Sequence, residues 1–170
     1  MGAPRLIIGV SGASGTIYAI RALELLKKLD IETHLVMSRS AQVTLAYETD
    51  LKVKDVEALA SVAYRNEDIG AAISSGSFKT LGMLVAPCSI RSLSEIATGV
   101  TGSLLSRAAD VVLKERRRLV LMVRDTPNHL VHLPSMTPAP ESGRIGRPPE
   151  PASSTRHRPQ HATPHTPRGP

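Results

Sequence analysis

With 170 residues, 41% of them apolar, and a formal charge of +6, the chain has material for one core, which excludes disorder throughout. Aromatic residues are only 2%, too few for the stacking platforms of a basic nucleic-acid binder, so no nucleic-acid partner is expected. Cys88 is the single cysteine, which excludes an internal disulfide or a Cys-rich metal site and suits a reducing, cytoplasmic setting. No signal peptide or apolar run of the ~20 residues needed to cross a bilayer is read, so no membrane partner is expected.

Arg5 to Val10 is a short, continuously apolar run, the pattern of a strand buried on both faces. Tyr18 to Leu29 has apolar residues at helical spacing and lysines near its end, where the macrodipole favours them. Glu32 to Met37 predicts a second strand, Ser38 to Tyr47 a helix capped by Ser38, and Val53 to Tyr64 another helix. Leu81 to Ala86 reads as a third strand ended by Pro87, Leu104 to Arg118 as a strong helix, and Leu119 to Val123 as a fourth strand. Strands alternating with helices imply right-handed crossovers and a three-layer α/β sandwich around a parallel sheet.

Asn128 to Leu133 offers the start of a helix that Pro134, Pro138 and Pro140 would break. Ten of the 13 prolines lie from Pro134 onward, together with five Arg against two Glu. The expected organisation is therefore one domain over residues 1–133 and a Pro/Arg/His-rich, disordered tail over 134–170. The six histidines show no ligand spacing, and no metal is expected.

Ligands of an open parallel sheet bind beyond the strands' C-terminal ends, where four loops stand out. Ser11 to Gly15 carries Gly9, Gly12 and Gly15 at a spacing unlike the dinucleotide pattern, with Ser11 and Ser14 adding hydroxyls. A helix start there can hold an anion, although a tight turn without a ligand fits the spacing equally well. Ser38-Arg-Ser40 and Cys88-Ser-Ile-Arg-Ser92 add Ser38, Ser89, Ser92 and Arg91. Each serine alone reads as a helix cap; together they can surround a mononucleotide. Arg124 ends an apolar strand, where a guanidinium suits bidentate phosphate binding. Arg107 and Lys114 share one helix face about two turns apart and suit a second anionic group, or a solvated basic face. Glu48, just past a helix, suits proton transfer if partial burial raises its pKa.

Six segments in order resemble one family: Gly9-Val-Ser-Gly-Ala-Ser-Gly15, His34-Leu-Val-Met-Ser38, Glu48-Thr-Asp50, Ile73-Ser-Ser-Gly-Ser-Phe78, Ala86-Pro-Cys-Ser89, and Arg107-Ala-Ala-Asp-Val-Val-Leu-Lys-Glu-Arg-Arg117 with Leu119-Val-Leu-Met-Val-Arg124. They are similar to the UbiX-type flavin prenyltransferases, from Arg5 to about His132. The resemblance implies a flavodoxin-like, Rossmann-like α/β fold, a dodecamer, and transfer of a dimethylallyl group from dimethylallyl monophosphate to reduced FMN, at N5 and then C6. The product, prenylated FMN, would serve a UbiD-type decarboxylase.

Carried over by position, Gly12, Ala13, Ser14, Ser38, Ser89, Ile90, Arg91, Ser92 and Arg124 would contact FMN. Glu48 would be the acid/base residue assisted by Ser14, and Arg107 and Lys114 would hold the substrate phosphate. Asp125 replaces the family's Glu, and Arg144, Gly146 and Arg147 stand at the apolar positions of its last strand. Ser153-Ser154 stands where the family has a Phe-Tyr pair whose Tyr binds the substrate phosphate. The last strand, that ligand and a closing helix are therefore expected to be missing, and the alternative function is an FMN-binding remnant or assembly subunit without turnover. A flavin-dependent cysteine-peptide decarboxylase lacks its His and Asn motifs here, and a dehydrogenase lacks both the glycine spacing and an acid after the second strand.

Overall fold

A computed structural model describes residues 2–124 and the backbone of 144–147. The strands are β1 (Arg5–Val10), β2 (Glu32–Met37), β3 (Val62–Arg65), β4 (Gly82–Cys88), β5 (Arg118–Val123) and β6 (Arg144–Arg147). The helices are α1 (Thr16–Lys28), α2 (Arg39–Glu48), α3 (Val53–Glu57), α4 (Ile90–Thr98) and α5 (Leu104–Lys114). All pairings are parallel and the strand order is β3-β2-β1-β4-β5-β6. The chain moves outward from β1 to β3 and then crosses back to β4, so the order reverses between β1 and β4. That crevice is where doubly wound sheets bind ligands.

Pleating sends alternate side chains to opposite layers. Ile7, Val36, Met83, Val85, Leu119 and Leu121 pack with Leu104, Leu105 and Ala108 of α5. Ile8, Val10, Leu35 and Met37 pack on the other face with Ala19, Ile20 and Leu23 of α1 and with Leu45 of α2. Both faces of the central strands are thus buried, which explains their unbroken apolar runs.

Four sequence expectations are corrected. The predicted helix from Val53 to Tyr64 stops at Glu57, and Val62–Arg65 becomes β3. The helix ends in a turn after Glu57, and Val62 to Arg65 pair with His34 to Met37, a partner that local periodicity cannot show. Pro87 does not end β4, because a register shift between Val85 and Cys88 takes up the missing N–H. The basic run after Lys114 is not helix: Glu115 caps α5 and Arg116 turns left-handed at φ 54. Lastly, the strand expected to be missing exists, since β6 pairs along β5. A ladder needs backbone groups, not apolar side chains, so the loss of the apolar pattern did not forbid it. The predicted helix from Asn128 lies outside the described residues, as do the rest of the tail and Asp125.

A polar network around the buried ring of His34 ties β1, β2 and β3 at the end away from that crevice. The ring of His34, 3% exposed, lies 2.8 Å from Glu32 Oε1 through Nε2 and 2.9 Å from the Tyr64 hydroxyl through Nδ1. A carboxylate only accepts, so Nε2–H donates to it and the tyrosine O–H donates to Nδ1 in the neutral ring. Arg5 Nε donates to Glu32 at 3.3 Å. The His34 bond holds the Glu32 carboxyl below the usual range against burial, with Arg5 acting in the same direction. A depressed carboxyl stabilises the fold above its unfolded pKa, and that contribution is lost as pH falls through the folded value. Glu32→Gln is therefore expected to flatten the acid side of a urea-midpoint against pH curve; an unchanged slope would show that the network does not carry it.

Candidate functional site

The loop after β1 is pinned from several sides. Ser11, which the sequence offers as a ligand donor, is 1% exposed and already committed: its hydroxyl donates to Pro87 O at 2.8 Å and accepts from Ser89 N at 2.7 Å. A hydroxyl has one proton to give, so Ser11 fastens the β1 loop to the β4 loop. The Thr44 hydroxyl of α2 shares its proton between Gly12 O and Ser40 O, each at 3.0 Å, and so draws the loop against the next helix. A Cβ at Gly12 would stand 2.5 Å from Ser40, so only glycine permits that approach. Gly12→Ala is expected to push the two loops apart and weaken retention of any cofactor bound between them at least tenfold, about 1.4 kcal/mol, measured by titration.

At the start of α1 the expected anion proves to be a side chain of the protein itself. Glu48, the last residue of α2, accepts from Ser14 Oγ at 2.5 Å, from Gly15 N at 3.1 Å to both oxygens, and from Thr16 N at 3.0 Å. Gly15 reaches this geometry with a φ of 109, in the region that glycine tolerates and other residues resist. Burial pushes the Glu48 carboxyl up, but the bonds from Ser14, Thr16 and Gly15 outweigh it and leave the pKa below the usual range. The expectation that burial raises it is thus corrected. At neutral pH Glu48 is an ionised base at a helix N-terminus, where the macrodipole favours its charge.

Arg124 stands beside this pair. Its guanidinium lies 5.6 Å over the Tyr18 ring, Nε is 3.6 Å from where a Gly15 Cβ would sit, and its backbone N–H donates to Cys88 O. The carboxylate, the serine and the arginine converge at the ends of β1 and β5.

On the other side of Gly12 opens a cavity of about 430 Å³, within the range of cofactor sites. It brings together Ser38, Ser89, Arg91 and Ser92 of the predicted set, and adds Arg39, Ser40, Asn66 and Ser103. Ser38 caps α2 by accepting from Ala41 N, and Ser89 caps α4 by accepting from Ser92 N. The same serines that cap their helices thus also line the cavity, because a capping oxygen leaves its helix's first N–H groups facing the same space. Ile90 and Arg91 open α4, a helix that the sequence presented as a loop. Arg91 is largely exposed and pairs with Glu95 at 3.0 Å. Asn66 was invisible because it follows the strand mistaken for helix, whereas Arg39 and Ser40 lay in a loop already singled out.

Arg107 and Lys114 are both exposed on α5. Lys114 ends that helix beside Glu115, which reaches Gly76, while Arg117 donates to the carbonyls of Gly76 and Phe78. From there the chain runs to Leu81, whose N–H donates to Arg5 O at the start of β1. Lys114 thus ends α5 at the opposite end of the sheet from Glu48, and the strand β1 between the two ends is roughly 16 Å long. One chain does not bring the two together.

Burial pushes the Cys88 thiol up to about 12, so it stays protonated and is no nucleophile. Among the described residues no cluster of His, Cys, Asp or Glu is placed to hold a metal ion, and no helix is long and apolar enough to cross a membrane.

The Flavoprotein family profile matches residues 1–139. A curated relative, the flavin prenyltransferase UbiX of Escherichia coli K12, is 59% identical over 157 residues, which cover 92% of this chain and 82% of that protein. The crystal structure of AnUbiX in complex with FMN and dimethylallyl pyrophosphate superposes with a TM-score of 0.86 at 45% identity, covering 88% of this chain and 80% of the other. A dodecameric FMN-dependent UbiX-like decarboxylase from E. coli O157:H7 follows at 0.84 and 44%, covering 88% and 82%. Peptidyl-cysteine decarboxylases share the fold alone, at 15% identity.

Proposed function

Since the chain belongs to the flavin prenyltransferases of the Flavoprotein family, we infer that it transfers a dimethylallyl group from dimethylallyl monophosphate to FMN. The observation that carries the site assignment is Glu48, held ionised by Ser14, Gly15 and Thr16 beside a hydroxyl-lined cavity.

The residues present fit a flavin mononucleotide. Ser38, Ser40, Ser89 and Ser92, with Arg39 and Arg91, form a donor-rich lining, and the first turns of α2 and α4 supply N–H groups for a phosphate. Gly12, Ala13, Ser14 and Ile90 are proposed to border the ring system, and Arg124 to face its polar edge. When bound, reduced FMN supplies the nucleophilic N5 and C6 that accept the dimethylallyl carbons.

The chain's own groups do the rest. Glu48 takes the proton released as the second bond closes; its lowered pKa keeps the carboxylate ionised, and so able to accept, at neutral pH. Ser14, bonded to Glu48, orients it. Arg107 and Lys114 are proposed to stabilise the charge that builds on the departing phosphate. Because Lys114 lies far from Glu48 in its own chain, it would act on substrate held by a neighbouring copy in a homo-oligomer. The product is proposed to serve a UbiD-type decarboxylase in the cytoplasm, where a buried free thiol is at home.

Purified chain given reduced FMN and dimethylallyl monophosphate without oxygen is expected to form the prenylated flavin, read by mass spectrometry. Loss of all flavin on gel filtration would overturn the assignment. Flavin retained without product would select a second reading, an FMN-binding subunit without turnover, which Ser153-Ser154 favours by standing in place of the family's phosphate-binding Tyr.

A further inference from the structure

Among the described residues, Thr16 Oγ1 is the one buried side-chain oxygen or nitrogen that has no hydrogen-bond partner. A buried hydroxyl without a partner is costly, so the residue calls for an explanation. Thr16 is fully buried at the first position of α1, and its backbone N–H donates to Glu48 Oε2 at 3.0 Å, which fixes it beside that carboxylate. A helical threonine ordinarily donates to the carbonyl four residues back. Thr16 Oγ1 makes no such bond to Gly12 O, although that carbonyl keeps a lone pair beside the Thr44 hydroxyl.

Ser14 sets the other half of the problem. Its single hydroxyl proton goes to Glu48 Oε1, so it cannot serve a bound reactant without leaving the carboxylate. Thr16 is close enough for its hydroxyl to count among the groups that hold the Glu48 carboxyl down, although it makes no bond of good geometry in this arrangement.

We propose that Thr16 is a positioning residue for Glu48: its hydroxyl is the reserve donor that takes the carboxylate when Ser14 turns to the reactants. A small rotation of the Glu48 carboxyl toward Thr16 then replaces one O–H donor with another, while the Gly15 and Thr16 N–H groups keep their hold. The nearest other titratable and charged groups are Tyr47 and Asp50, its neighbours in the chain, and Arg124, which stacks over Tyr18 of α1 and lies near Gly15. None of them can donate from inside the turn, where Thr16 alone carries a hydroxyl without a partner. The proposal rests on the catalytic reading of Glu48 given above.

The test compares Thr16→Val, which keeps the shape, with Thr16→Ser, which keeps the hydroxyl, alone and with Ser14→Ala. In the full chain without flavin, a carbon-13 carboxyl titration, with Glu48 assigned through Glu48→Gln, reads the site independently of turnover. Each single variant that removes one hydroxyl is expected to move the Glu48 midpoint little, because the other donor remains. Ser14→Ala with Thr16→Val is expected to raise it by about one pH unit, the loss of a hydrogen bond to a charged group. With FMN and substrate, Thr16→Val alone is expected to raise the acid limb of the kcat profile by about one unit, and Thr16→Ser to restore it.

Additive shifts, no shift, or a downward shift would overturn the reserve role, whether or not the wild-type chain makes product. Thr16→Ala carries the same comparison should the valine variant fail to fold. A wild-type chain that makes no product while the coupled titration shift appears would refute the prenyltransferase assignment and leave the Ser14–Thr16 pairing standing.

Discussion

Glu48→Gln is expected to lower kcat for prenylated-flavin formation by about 10²- to 10⁴-fold, the usual worth of a positioned proton acceptor. The amide has the same shape but no charge, and its NH2 must face one of the N–H donors at Gly15 or Thr16. FMN affinity should change less than kcat, since Glu48 is not among the residues that line the cavity of Ser38, Ser89 and Arg91. The wild-type pH profile distinguishes the base from a structural cap. A depressed carboxyl stays ionised through neutral pH, so activity should fall only on acidification below the ordinary glutamate range, and that limb should vanish in Glu48→Gln. A wild-type acid limb near neutrality would instead show a raised pKa and contradict the donor set around Glu48.

Lys114→Ala is expected to lower kcat/KM for dimethylallyl monophosphate by about 10²- to 10³-fold, as when one donor to developing negative charge is removed. Its position supplies the sharper experiment. α5 runs from the ligand-binding edge of the sheet to the far edge, so its last residue cannot reach the Glu48 of the same chain. Co-expressing the Glu48→Gln and Lys114→Ala chains in equal amounts should give sites in which both groups are intact. Random assembly predicts about one quarter of wild-type activity, because each group comes from an intact copy half of the time. No recovery from co-assembled chains would mean that Lys114 does not act across an interface.

Particular residues show how far local pattern reaches. β1 and β2 are bounded as their apolar runs suggested, because a strand buried on both faces writes its length directly into the chain. Ser38 was legible as a cap because capping depends on the next three residues. The strand Val62–Arg65 was not legible, since its evidence is pairing with β2, some 28 residues earlier. Asn66, which follows that strand, entered the site only through its folding.

The candidate site divides in the same way. Order along the chain placed Ser14, Ser38, Ser89 and Arg124 in loops after strands, and a parallel sheet gathers such loops at one edge. It could not say which of the many hydroxyls were already committed. Ser11 and Ser14 look alike in the loop, yet one bridges Pro87 and Ser89 while the other holds Glu48.

The layered α/β architecture, the family and the loops at the ligand-binding edge were legible in the sequence, because periodicity and motif order are properties of neighbouring residues. The fold was needed to show that the glycine-rich turn before α1 binds the protein's own Glu48, that burial there is outweighed by donors, that Val62–Arg65 is a strand paired along β2, and that Lys114 ends α5 at the far end of the sheet from Glu48. Each of these depends on which group meets a given proton or charge in space, and a hydroxyl, an N–H or a carboxylate has the same letter in the sequence whether that partner is a ligand or another part of the chain.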